Sequence, residues 1–173
     1  MRIVTKVGDI LDEAADVLVA SANPFLNLSG GVGGALLERC GPELQEELRR
    51  YLAANKLTSV ATGAVVRTSA RDLPFKHILH VVAIDAFYDT SVELVRQALT
   101  TCFDKAAELG AATVVLPALA TGYGRLPMAD FAAALRDVVG SRSDSALLVS
   151  LVLRTIDDRE AVESILSRCK KRN

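Results

Sequence analysis

The chain has 173 residues, with 20 Lys and Arg against 21 Asp and Glu, and half of it is hydrophobic. A formal charge of −1 argues against broad electrostatic binding of nucleic acid, which normally shows as a basic stripe, and the apolar content argues against a disordered chain. Five Phe, three Tyr and no Trp leave little material for base-stacking platforms on single strands, so backbone must do much of any ligand binding.

Short β-branched runs predict strands over 3–7, 17–21, 64–68, 78–83, 113–116 and 146–153. Several are continuously apolar, as expected of strands covered by helices on both faces. Between them lie segments of helical period. Leu44, Leu48, Tyr51 and Leu52 form one stripe; Val92, Val95, Leu99, Cys102, Phe103 and Ala106 form a second; Met128, Phe131, Leu135, Val138 and Val139 form a third. Val162, Ile165, Leu166 and Cys169 predict a terminal helix, and Gly41-Pro42 breaks and restarts the segment after Cys40. The alternation predicts a layered α/β protein around a buried sheet. With no linker, repeat or low-complexity stretch, residues 1–173 are expected to form one domain, with a basic end at 168–173 that reads as a solvated helix terminus.

Cys40, Cys102 and Cys169 are odd in number and unpatterned. They suggest neither a disulfide framework nor a zinc site, and point to a reducing compartment. The first ten residues carry charge and lack an apolar signal core, and no apolar run approaches eighteen residues. A soluble, cytoplasmic protein is expected, with no membrane partner.

Four of the eleven glycines fall within Ser29-Gly30-Gly31-Val32-Gly33-Gly34. The cluster follows a strand and precedes an apolar segment, where successive N–H groups converge on an anion at a helix N-terminus. It matches neither the dinucleotide fingerprint nor the P-loop, and a ligand-free turn is the plainer alternative. A second loop, Pro117 to Pro127, contains Ala120-Thr121-Gly122-Tyr123-Gly124-Arg125 in a comparable position after a strand. Two such loops beyond strand carboxyl ends would hold a diphosphate between them, with Arg125 either at the rim or simply on the surface. Asp9 is an acceptor suited to an exocyclic amine, or the N-cap of a short helix over 10–15. Asn23, within Ser21-Ala22-Asn23-Pro24, suits ribose hydroxyls, or is a turn element.

These segments carry a resemblance. Val7-Gly8-Asp9-Ile10, Val19-Ala20-Ser21-Ala22-Asn23, the glycine cluster, Leu79-His80-Val81-Val82 and Pro117-Ala118-Leu119-Ala120-Thr121-Gly122, in this order and spacing, resemble a macro domain. The resemblance implies a three-layer α/β/α sandwich with a central mixed, mostly parallel six-stranded sheet and a cleft for ADP-ribose. By position, it implies that Asp9 accepts the adenine amine and Ile10 lines the base. Ala22 and Asn23 would lie at the distal ribose, and Gly30, Gly31, Val32, Gly33, Gly34 and the segment Ala120 to Gly124 would embrace the diphosphate.

Several positions depart from the family pattern. Gly33 stands where members that hydrolyse ADP-ribosyl esters carry an acid, Ala20 replaces an Asn, and Gly124 occupies the place of an aromatic, with Tyr123 one residue away. No aromatic follows Phe131, so Arg154 is the candidate to lie on adenine, or is a plain surface arginine. The resemblance therefore implies a module that binds ADP-ribose, free or on a modified protein. The alternative is an ADP-ribosyl hydrolase or O-acetyl-ADP-ribose deacetylase in which Asn23 and the ligand's phosphate position water. No cofactor or metal is called for, nucleic acid is not an expected partner, and a monomer is expected.

Three other groups read differently. His77 and His80 read as structural, lacking metal-like spacing. Gln45-Glu46-Glu47 reads as a solvated helix face. Asp85 and Asp89 flank a loop in which Phe87 or Tyr88 would be either a lid or packed.

Overall fold

A computed structural model describes residues 1–142 and 145–167. Six strands form one sheet: β1 (Arg2–Val7), β2 (Ala15–Ala22), β3 (Val65–Ser69), β4 (Phe75–Val82), β5 (Thr113–Pro117) and β6 (Leu148–Leu153). Their order is β1-β6-β5-β2-β4-β3. Every neighbouring pair is parallel except β3 with β4, which is antiparallel. Five helices surround it: α1 (Gly31–Cys40), α2 (Pro42–Ala54), α3 (Val92–Glu108), α4 (Met128–Gly140) and α5 (Ile156–Leu166).

Strand side chains alternate between faces, and both faces are apolar here. Along β2, Val17 and Val19 point into one core with Leu99 and Phe103 of α3, Phe131 and Leu135 of α4 and Val162 of α5. Leu18 and Ala20 point into the other, against Leu36 of α1 and Leu44 and Leu48 of α2. That two-sided burial explains the near-continuous apolar runs. The layers are therefore α/β/α and the sheet is mixed and mostly parallel, as the resemblance implies.

Each predicted strand and amphipathic stripe forms its element, with three differences. The short helix over 10–15 that one reading of Asp9 offered is a single 3-10 turn, Ile10–Asp12, which Asp9 caps. The glycine cluster does not merely precede α1, because Gly31 to Gly34 are its first turn. Cys169 and the basic residues of 168–173 lie outside the described residues. Gly41 splits α1 from α2 at φ +75°, and Pro42 starts α2.

Two polar devices tie the sheet together. At its amino-terminal edge, Asp16 accepts the N–H groups of Ala112 (2.8 Å) and Thr113 (3.0 Å) and pairs with Lys76 at 2.7 Å. Lys76 and these amides hold its carboxyl well below the usual carboxylate range. Within the α2-side core, His80 Nε2 lies 2.8 Å from the Thr68 hydroxyl. Burial pushes the His80 imidazole down to about 4. Among the described residues no helix is long and apolar enough to cross a membrane.

Candidate functional site

Five parallel strands present their carboxyl ends along one edge, and a cleft of about 690 Å³ runs across all five. In strand order, its wall is built from Gly8, Asp9 and Ile10 after β1, and from Leu153 at the end of β6, Arg154 beyond it and Asp158 in the first turn of α5. Pro117, Ala118 and residues 120–124 come from the end of β5 and its loop, Ala22, Asn23, Asn27 and Ser29 to Val32 from the end of β2 and its loop, and Ile84 and Tyr88 from the loop after β4. Ligands in open parallel sheets gather at this edge because the connecting loops and helix N-termini meet there.

At the centre, the two glycine-bearing loops face each other from adjacent strands. The first intrahelical bond of α1 runs from Gly34 N–H to Gly30 C=O at 2.9 Å. The amides of Gly31, Val32 and Gly33 precede it and lack an intrahelical acceptor. Gly31 and Val32 line the cleft, whereas Gly33 is buried against Leu28 and Gly34 has spent its N–H; neither lines it. Opposite, Arg125 N–H bonds to Gly122 C=O and Leu126 N–H to Ala120 C=O. The amides of 121–124 have no acceptor among the described residues. Ala120 sits at φ +62°, the kind of strained backbone that persists only where surroundings fix it. Arg125 does not line the cleft.

Among the described residues three charged side chains line the wall, Asp9, Arg154 and Asp158, from the β1 and β6 ends of the sheet. The middle carries none. An anion held there would therefore meet amide dipoles and the N-terminal field of α1 rather than lysines. Asp9 caps the 3-10 turn, its Oδ1 accepting Leu11 N–H at 2.9 Å, and its Oδ2 lies 3.9 Å from Arg39. Arg154, by contrast, is exposed and makes no hydrogen bond or ion pair among the described residues.

Asn23 works chiefly on its own loop. Its Oδ1 accepts Phe25 N–H (3.0 Å) and Asn27 N–H (3.3 Å), and its Nδ2 donates to Asn27 C=O (3.1 Å). One Nδ2 hydrogen remains for a ligand.

A second clamp overturns a sequence expectation. Gln45 is buried rather than solvated: it accepts Leu28 N–H at 2.7 Å and donates to Leu26 C=O at 3.0 Å. Glu47 likewise bonds Ser69 N–H (2.9 Å) and its hydroxyl (2.7 Å), while Glu46 is exposed. Gln45 thus fixes the glycine loop from behind, and nothing in its local helical pattern distinguishes it from its exposed neighbours.

Sequence reading also missed Asn27, Ser29 and Asp158 as wall residues. Asn27 had one available signal, its position between Asn23 and the glycines. Among the described residues no group of three or more His, Cys, Asp or Glu is placed to hold a metal ion.

The fold is α/β/α, with a cleft along the carboxyl edge of its parallel strands. The Macro domain family model matches residues 19–135, and the chain belongs to that family. It is 37% identical over 166 residues to a macro domain-containing protein of Streptomyces coelicolor, covering 93% of this chain and 94% of the relative. Its fold is similar to that of the Oceanobacillus iheyensis macrodomain with ADP (TM-score 0.89, 24% identity, 99% of this chain and 93% of that one). It is also similar to that of the Trypanosoma brucei macrodomain in complex with ADP-ribose (TM-score 0.80, 22% identity, 94% and 68%).

Proposed function

We propose that the chain is a binding module for ADP-ribose, free or as the terminal group of an ADP-ribosylated protein. The observation that carries this reading is the pair of amide-bearing loops on adjacent strands, Gly30 to Val32 facing Ala120 to Gly124 across a cleft uncharged at its middle. A diphosphate matches that arrangement, because helix N-terminal amides offer directed donors and favourable potential without competing salt bridges. Asp9 then meets the adenine amine with its remaining acceptor capacity, Ile10 lies along the base, and Ala22, Asn23 and Asn27 border the distal ribose. The Macro domain neighbours that hold ADP and ADP-ribose support the same ligand class.

Binding fits better than hydrolysis. The wall's carboxylates among the described residues are Asp9 and Asp158, both at the adenine end. A water attacking the distal ribose would meet no carboxylate of the described wall, leaving orientation and fixed amides to lower the barrier.

Calorimetry with ADP-ribose tests the reading. Saturable heat and a rise in Tm with ligand are expected, since a ligand that binds only the native state stabilises it by mass action. No heat and no shift at millimolar ADP-ribose would overturn it.

A further inference from the structure

Tyr88 follows β4, four strand spacings or about 19 Å from the Asp9 end of the cleft, and Tyr123 reaches it from the central loop after β5. Their ring centroids are 5.8 Å apart with planes tilted by 45°, and both line the wall. Phe87 beside them is 83% exposed. Three of the chain's eight aromatics thus face solvent at one corner, although burying such rings is among the larger gains available to a fold.

The loop that presents Phe87 and Tyr88 is tightly held. Asp85 Oδ1 accepts Phe87 N–H at 2.8 Å and Asp89 N–H at 2.9 Å, and Asp85 N–H donates to Asp89 C=O at 2.8 Å. Tyr88 is kept at φ +69°, uncommon for so bulky a residue. The sequence left this loop open between lid and packed segment, and its rings are not packed into the core.

Two carboxylates and one guanidinium lie near the rings in sequence, and the guanidinium, Arg125, does not line the cleft. Asp85 and Asp89 flank the rings, and Asp89 makes no ion pair among the described residues. Among the described residues the wall's one cation, Arg154, lies at the Asp9 end.

Resting on the ADP-ribose reading, we infer that this corner is a subsite for a planar cation joined to the distal ribose, a pyridinium or a guanidinium. Tyrosine π-faces attract such a cation, most strongly when it is partly desolvated between rings. The neighbouring carboxylates add to that attraction, whereas an anionic acceptor would be repelled.

The test compares four ligands by calorimetry: ADP-ribose, NAD+, NADH and an arginine peptide ADP-ribosylated on its guanidinium. NADH keeps the shape of NAD+ but has an uncharged dihydropyridine ring. The expected result is that NAD+ binds about three- to tenfold tighter than NADH, or that the arginine conjugate exceeds ADP-ribose by a similar factor. Whichever ratio departs from one identifies the source of the cation. In Tyr88→Gly, which removes the ring and relieves the backbone, that ratio should collapse towards one. Ratios near one in the unmodified protein, or a preference that survives both Tyr88→Gly and Tyr123→Leu, would overturn the subsite while leaving ADP-ribose binding intact. Failure of all four ligands to bind would instead remove the ADP-ribose reading and this one with it.

Discussion

The phenol of Tyr123 occupies the space into which a side chain at Gly30 would grow. A Cβ built on Gly30 meets the Tyr123 hydroxyl and comes within 2.7 Å of its Cε2. The two loops therefore touch across the cleft, and glycine at 30 is needed both for this approach and for its φ of +62° and ψ of 168°, a region other residues rarely enter.

Gly30→Ala should consequently destabilise the protein by about 1–3 kcal/mol and weaken ADP-ribose binding. Adding Tyr123→Leu should recover part of that loss, because it removes the collision but not the backbone cost. Denaturant unfolding of both single variants and the double variant measures the coupling. Strict additivity would mean that the contact carries no energy.

Asn23 separates loop holding from ligand contact. Asn23→Ala gives up its three bonds to the 25–27 backbone, each worth about 1 kcal/mol net, and should lower Tm by several degrees. Asn23→Asp keeps the acceptor for Phe25 and Asn27 and should hold Tm closer to the parent. Its added negative charge beside an anionic ligand should nevertheless weaken binding. Equal Tm values for the two variants would contradict the holding role.

His80 sets an acid limit on stability. Its folded-state pKa is lowered from 6.5 to about 4 by burial, so the unfolded chain takes up the proton first as pH falls. The contribution is fully present above about pH 6.5, is lost progressively between there and about pH 4, and amounts to about 3 kcal/mol. Urea midpoints at stepped pH should show this decline, and His80→Gln should flatten it. An unchanged slope in the variant would place the titration elsewhere.

Much of this was legible because the two-sided core writes itself into the sequence: the run containing Leu79, His80, Val81 and Val82 is apolar on both faces except for one histidine, which Thr68 satisfies at Nε2. The cleft's centre was legible through Gly30, Gly31 and Gly122, glycines of two loops that line it from adjacent strands. What stayed hidden depends on pairings across the chain. The buried role of Gln45 is set by Leu26 and Leu28, seventeen and more residues earlier.

Gly124 is a similar case. A Cβ there would come within 2.7 Å of Ala120 O and 2.8 Å of Ile84 Cγ2, so an aromatic has no room, and the loop's aromatic is carried by Tyr123. Only the folded loop reveals that constraint.

Arg154 provides the last prediction, at the adenine end. It is exposed, without a side-chain hydrogen bond or ion pair among the described residues, and lines the wall with Asp9, Ile10 and Asp158. If its guanidinium plane lies on the base, Arg154→Ala should cost about 0.5–1 kcal/mol of ADP-ribose affinity, the range for an exposed cation–π contact. Arg154→Lys should fall nearly as far, because lysine keeps the charge but not the plane. Arg154→Trp should bind more tightly than the parent, since an aromatic surface stacks on a base with about 1–3 kcal/mol. Calorimetry on the three variants ranks these effects. Should Lys restore full affinity while Trp weakens it, Arg154 acts as a charge towards the phosphates, and the base rests on Ile10 alone.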